Sequence, residues 1–205
     1  MNGDTFKIGR HIFTIGHSNH PLEWFLGLLK AHGIEVLVDV RSHPYSKHAP
    51  HFDHQMLKAR ATAEGIRYLF LGAELGGRPK GEEFYDADGH VLYWRVAESA
   101  AFLEGISRLE AGIQKYKVAI MCSEENPAVC HRRLLIGRVL VMRGIRVCHI
   151  RGDGRVQTDT ELAGEEQGND GKDHQLMLFN DKGIDTWKSI RSVLQRGKRP
   201  TSSEL

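Results

Sequence analysis

Five short apolar runs recur along this chain with amphipathic stretches between them, and that alternation admits few folds. A short apolar run bounded by turn residues reads as a strand buried on both faces. Strands alternating with helix-length segments are the units of a parallel sheet. The runs cover residues 12–16, 34–40, 66–71, 118–121 and 145–150. Between them lie helices over 22–32, 54–64, 91–110 and 127–143, the first and last closed by Gly33 and Gly144 in C-terminal capping positions. The expected fold is α/β: a mainly parallel open sheet of about five strands with helices on both faces, followed by a less ordered C-terminal tail.

The tail is placed by composition. From Gly152 onward Gly, Asp, Glu and Gln dominate without periodicity, which divides the chain into one domain over residues 1–151 and a tail over 152–205. Two features interrupt it. A short helix with Ile184, Trp187, Ile190 and Leu194 on one side is one. The other is Gln175-Leu176-Met177-Leu178-Phe179, similar to the peptide by which bacterial DNA-processing proteins dock onto the sliding clamp, with Gln175, Leu176, Leu178 and Phe179 as partner-binding residues.

No apolar run approaches the roughly 20 residues that span a bilayer, and the N-terminus lacks the layout of a signal peptide, so a cytoplasmic location without membrane contact is expected. Three cysteines make a disulfide framework a poor reading, and Cys148, inside an apolar run, belongs to the core. The net charge of +2 hides a segregation. Residues 131–151 carry six arginines and no acid, whereas residues 159–181 carry seven acids against one lysine. A basic face for a nucleic acid is the functional reading of such a block, and a solvated surface is the plain one.

In a parallel sheet the ligand crevice lies at the carboxyl ends of the strands. The residues expected there are His17-Ser18, then Asp39 with Arg41-Ser42, then Gly72 to Arg78 including Glu74, Gly76 and Gly77, then Cys122-Ser123-Glu124. The last group opens C-S-E-E-N-P-A-V-C-H-R-R. Asn126 reads as a helix cap and Pro127 as a first helical residue, which puts Cys130 and His131 in the first turn, where the helix dipole favours an anion and a thiolate.

Four motifs together resemble one family. T-I-G-H-S at 14–18, V-D-V-R-S at 38–42, L-G-A-E-L-G-G at 71–77 and C-S-E-E-N-P-A-V-C-H-R at 122–132 are similar to domain of unknown function family 488, over roughly residues 12–150. The resemblance implies an α/β fold and a shared set of site residues without a reaction. A weaker likeness to rhodanese-like and cysteine-phosphatase domains fails on their compact cysteine-to-arginine loop. Arg132 lies ten positions after Cys122, and Glu124-Glu125 would repel a phosphate.

Three chemistries fit these residues. In the leading one Cys122 is a nucleophile, with His131 or His17 as base, Asp39 and Glu124 as acid/base groups, and Ser18, Arg41, Ser42, Gly76, Gly77, Cys130 and Arg132 binding an anionic, nucleotide-type substrate. Cys122 and Cys130 could instead be a redox pair. A metal held by Cys122, Cys130, His131 and His17 is the third, although the cysteine spacing is not a usual zinc signature, and the expected site is read without a metal. The histidine-rich loop 43–54 could grip phosphates or a metal, but reads first as a flexible surface loop. The interval 72–90 reads as a lid, with Tyr93 and Trp94 as core. A non-catalytic DNA-binding accessory tethered to the sliding clamp is the competing function. The residues name neither a cofactor nor a reaction.

Overall fold

The computed structural model describes residues 10–46, 48–169 and 187–193. In chain order these form β1 (His11–Gly16), α1 (Leu22–Ala31), β2 (Val36–Asp39), α2 (His54–Ala63), β3 (Arg67–Phe70), α3 (Gly72–Leu75), α4 (Tyr93–Glu98), α5 (Ala100–Ile113) and β4 (Val118–Cys122). A π-helical stretch, Arg132–Gly137, then runs into α6 (Arg138–Met142), and β5 (Arg146–Ile150), β6 (Val156–Thr158) and α7 (Asp159–Asn169) follow. The six strands form one sheet in the order β3-β2-β4-β1-β5-β6, parallel except for the antiparallel β6. The expected α/β class holds, and all five expected strands are present.

The pleat sends alternate residues to opposite faces. Val118, Ile120 and Cys122 of β4 enter one core with Leu75 of α3, Val96 of α4, Phe102 of α5 and Leu140 of α6. Ala119 and Met121 enter the other, under Phe25 of α1 and Leu57 of α2. Gly33 at φ +61° and Gly144 at φ +77° terminate α1 and α6 as expected. Among the described residues no helix is long and apolar enough to cross a membrane.

Four expectations are corrected. The helix expected over 91–110 is two, because Ser99 is extended and its Oγ caps α5 by accepting from the Phe102 N–H. The helix expected over 127–143 starts late. Asn126 caps only the single 3₁₀ turn Pro127–Val129, Cys130 is extended at φ −106° and ψ 140°, and helix resumes at Arg132. Cys130 therefore precedes the helix instead of occupying its first turn. The described part of loop 43–54 is folded: its 3₁₀ turn Pro50–Phe52 drives a fully buried Phe52 against Phe25, edge to face at 5.1 Å.

The fourth correction concerns the short helix expected within the tail. Past Gly152 the chain turns and returns as β6, and Leu162 of α7 is buried. Residues 187–193 are not helical. Lys188 bridges Leu92, Ile190 is exposed, and the Trp187 indole N–H donates to the Leu134 carbonyl at 2.8 Å while its ring packs on the first core. Ile184, Leu194 and the peptide Gln175–Phe179 lie outside the described residues.

Phe52→Ala is expected to lower unfolding stability by about 3–5 kcal/mol, the cost of removing a fully buried aromatic ring. Urea titration measures it, and a loss near zero would mean that the loop is not part of the core.

Candidate functional site

Neighbouring strands β1 and β4 send their chains to opposite faces, β1 into α1 and β4 towards α6, so the loops part at the carboxyl edge. The ladder runs on beyond the strands. The His17 N–H donates to Cys122 O at 3.0 Å, Ser18 N–H to Ser123 O at 2.8 Å and Val40 N–H to Met121 O at 3.1 Å. Ser18 takes a left-handed φ of +47° at the turn into α1. All four expected strand ends meet along this edge. The pleat nevertheless divides their side chains between its two faces.

On the first face stand the two cysteines. Cys122 Sγ lies 3.0 Å from Glu124 Oε2 and 3.6 Å from His131 Nδ1, while Cys130 Sγ lies 3.2 Å and 3.8 Å from the same two atoms. Both cysteines are buried and reduced. His131 Nε2 is 3.1 Å from the Val40 carbonyl, which can only accept, so in the neutral ring the proton sits on Nε2 and the Nδ1 lone pair faces the sulfurs. Gly77 backs that ring so closely that a Cβ there would lie 2.8 Å from the imidazole. Gly16 has the same role beneath the loop, where a Cβ would overlap the Glu124 carbonyl.

The two thiols are shifted in opposite directions. The hydrogen bond with Cys130, burial and the nearby Glu124 push the Cys122 thiol well above its ordinary range. Burial opposes ionisation of Cys130 too, but the Cys122 hydrogen bond, the Arg132 charge and His131 together bring it well below. Burial disfavours the His131 imidazolium, and Cys130 and Glu124 outweigh it, so that pKa is raised.

On the second face, His17, Asp39 and Arg41 hold one another. The Arg41 guanidinium meets Asp39 through Nε at 2.9 Å and Nη2 at 2.6 Å, donates from Nη2 to the Phe52 carbonyl at 2.8 Å, and points Nη1 at His17 Nε2 at 3.2 Å. Tyr68 Oη donates to Asp39 Oδ2 at 2.6 Å. His17 stacks on Phe52 at 4.2 Å and donates from Nδ1 to Ser18 O, so it offers no nitrogen to the cysteines. Asp39 and Arg41 are a buried pair with every partner internal.

The other expected anion binders are also engaged. Arg132, 1% exposed, donates Nε to Thr14 Oγ1, Nη1 to the Glu124 carbonyl and Nη2 to the Glu125 carbonyl. Ser42 Oγ accepts from the Arg78 N–H and sits against Gly76. Glu74 pairs with Arg108 of α5. The six-arginine block does not form a uniform basic face: Arg133 pairs with Asp159, Arg143 with Glu110 and Arg151 with Glu125, and Arg138 stacks on Trp187. Among the loop histidines, His51 reaches the His20 carbonyl and His54 the Tyr68 hydroxyl.

Sequence reasoning placed Tyr93 in the core without linking it to the site. Burial, with the negative charge of Cys130, Glu124 and Cys122, holds its phenol well above the ordinary value. It also missed a network on the first face, where Thr14 Oγ1 meets His149 Nδ1 at 2.9 Å and His149 Nε2 meets Asp159 Oδ1 at 3.3 Å. The alternation of β5 was the available signal, since His149 shares its face with Val147.

Burial, and then the Arg41 charge, lower the His17 pKa to about 4, below the 6.5 of a free ring. Neutral His17 therefore stabilises the fold fully above 6.5, and that contribution is lost as pH falls towards 4. Ring-nitrogen NMR is expected to show His17 as the neutral Nδ1–H form down to about pH 5. An imidazolium at pH 6 would contradict the arrangement.

A family model described as "Domain of unknown function DUF488" matches residues 21–139. No curated protein and no solved structure matches the chain. The matched span holds three of the four motifs, those around Asp39, Gly76 and Cys122. With more than half of its length matched, the chain belongs to the DUF488 family.

Proposed function

We propose that this protein is a thiol-dependent enzyme whose working groups are Cys122, Cys130, His131 and Glu124, with a compact substrate reaching them at the sheet edge. The observation that carries the reading is the convergence of two sulfurs on one imidazole nitrogen and one carboxylate, each sulfur within reach of both. A purely structural pair of buried cysteines has no use for a carboxylate between them. The Nδ1 lone pair of His131 is aimed to accept a sulfur's proton, and Arg132 lowers the cost of the resulting thiolate. The DNA-binding alternative draws little support from the described residues, because at least five of the six arginines in 131–151 have internal partners, and the clamp-like peptide is not among them. An anionic substrate is likewise weakly supported, since Arg41 and Arg132 are committed within the fold.

Iodoacetamide labelling of native, chelator-treated protein, read site by site by mass spectrometry, tests this. Cys148 faces the opposite core and is the internal reference for an ordinary buried thiol. Cys122 or Cys130 is expected to label ahead of Cys148, and His131→Ala to slow that labelling by about tenfold for each pKa unit the imidazole contributes. Labelling of Cys148 first, or inert sulfurs at both site positions, would overturn the thiol reading.

A further inference from the structure

We infer that the Cys122 pocket is a binding site for one divalent transition-metal ion of the zinc class, held by Cys122 Sγ, Cys130 Sγ, His131 Nδ1 and Glu124 Oε2. The inference rests on that pocket being the functional site and names its cofactor.

The donor geometry comes first. The two sulfurs and the imidazole nitrogen all lie within 4.8 Å of one another. A tetrahedral ion with metal–sulfur bonds of about 2.3 Å and metal–nitrogen or metal–oxygen bonds of about 2.0–2.2 Å separates a sulfur from a nitrogen or oxygen ligand by roughly 3.5 Å. The sulfur–nitrogen edges here are 3.6 and 3.8 Å, and the sulfur–carboxylate edges 3.0 and 3.2 Å. The two sulfurs and the ring nitrogen therefore stand near three corners of the ion's shell, and Glu124, beside both sulfurs, becomes the fourth donor when its side chain swings towards Nδ1.

The surroundings agree. A metal-binding imidazole commonly donates its second ring N–H to a carbonyl, which fixes its tautomer and direction, and Val40 O serves that role for His131. Gly77 and the Arg132-held loop fix the ring and Glu124 from either side. Two thiolates and a carboxylate carry three negative charges. A divalent ion reduces that to one, and the buried Arg132 guanidinium, held on the carbonyls of Glu124 and Glu125, offsets the remainder. Two sulfurs in the donor set exclude calcium and magnesium, which prefer all-oxygen sites, and favour zinc.

The fold also explains a ligand set that spacing alone does not suggest. The eight-residue gap between the cysteines is closed by the extended Cys130, which doubles back beside the end of β4. His17, the fourth ligand expected from sequence, is turned away by Arg41 and Ser18, and Glu124 takes its place.

Full-length protein stripped with a chelator and titrated anaerobically with Co²⁺ tests the site. One equivalent is expected, with sulfur-to-metal charge-transfer absorption and the intense visible bands of a tetrahedral ion, displaced by one equivalent of Zn²⁺. Cys122→Ser and Cys130→Ser should each lose the charge-transfer band and stoichiometric binding while keeping the wild-type circular dichroism. Cys148→Ser should retain both. Glu124→Gln should bind more weakly with the sulfur bands preserved. Folded wild-type protein that takes up no Co²⁺ or Zn²⁺, or a Cys122→Ser/Cys130→Ser double variant that still does, would overturn the inference. Labelling of the stripped protein separates the two readings. Reactive site cysteines without metal uptake sink the metal site alone, metal uptake with inert cysteines sinks the thiol enzyme alone, and uptake that blocks labelling supports both.

Discussion

The Arg132 guanidinium is the contact on which the strand-end site depends. It lies buried above β1 and spends its three nitrogens on Thr14 and on the carbonyls of Glu124 and Glu125. Each of those carbonyls would otherwise forgo a charge-assisted bond inside the protein, a loss of about 1–3 kcal/mol per group. The same side chain begins the π-helical stretch, so one residue ties the loop bearing Glu124 to the helix that follows His131. Gly16 makes room for the loop to be pulled down so far. A lysine would not replace it, because only the planar fork reaches three divergent acceptors at once.

The second constraint is the pleat. Four strand ends reach one edge, as any parallel sheet requires, yet side chains two positions apart share a face and adjacent ones do not. What reads as one composite centre is two. His17, Asp39 and Arg41 form a closed polar cluster beneath Phe52, and the cysteines with His131 and Glu124 form a separate buried set on the other side. The His131 bond to the Val40 carbonyl is the stitch between them. The first cluster positions the backbone of β2 and its following loop, and the second gathers both sulfurs around His131 Nδ1 and the Glu124 carboxylate.

Much of this was legible in the residues. The five parallel strands, the capping glycines Gly33 and Gly144 and the meeting of four strand ends all follow from apolar runs and turn chemistry. Strand β6 did not, because Val156-Gln157-Thr158 is a three-residue antiparallel edge with one buried side chain and carries no apolar run. The late helix start escaped because a 3₁₀ turn uses the same Asn-Pro opening as an α-helix. The arginine block misled for a different reason. Charge along a chain says nothing of partners brought in by the fold, and Asp159, Glu110 and Glu125 arrive from three separate elements.

The Trp187 indole, finally, bears on the order in which the molecule can be completed. Its N–H reaches the Leu134 carbonyl inside the π-helical stretch, and its ring lies 4.5 Å from the Arg138 guanidinium just beyond. A nascent chain that has delivered all six strands to the exterior of the ribosome still lacks both contacts. The helix adjoining the cysteine pocket thus acquires this fastening only after the last strand has been made, so the pocket matures later than the sheet that carries it.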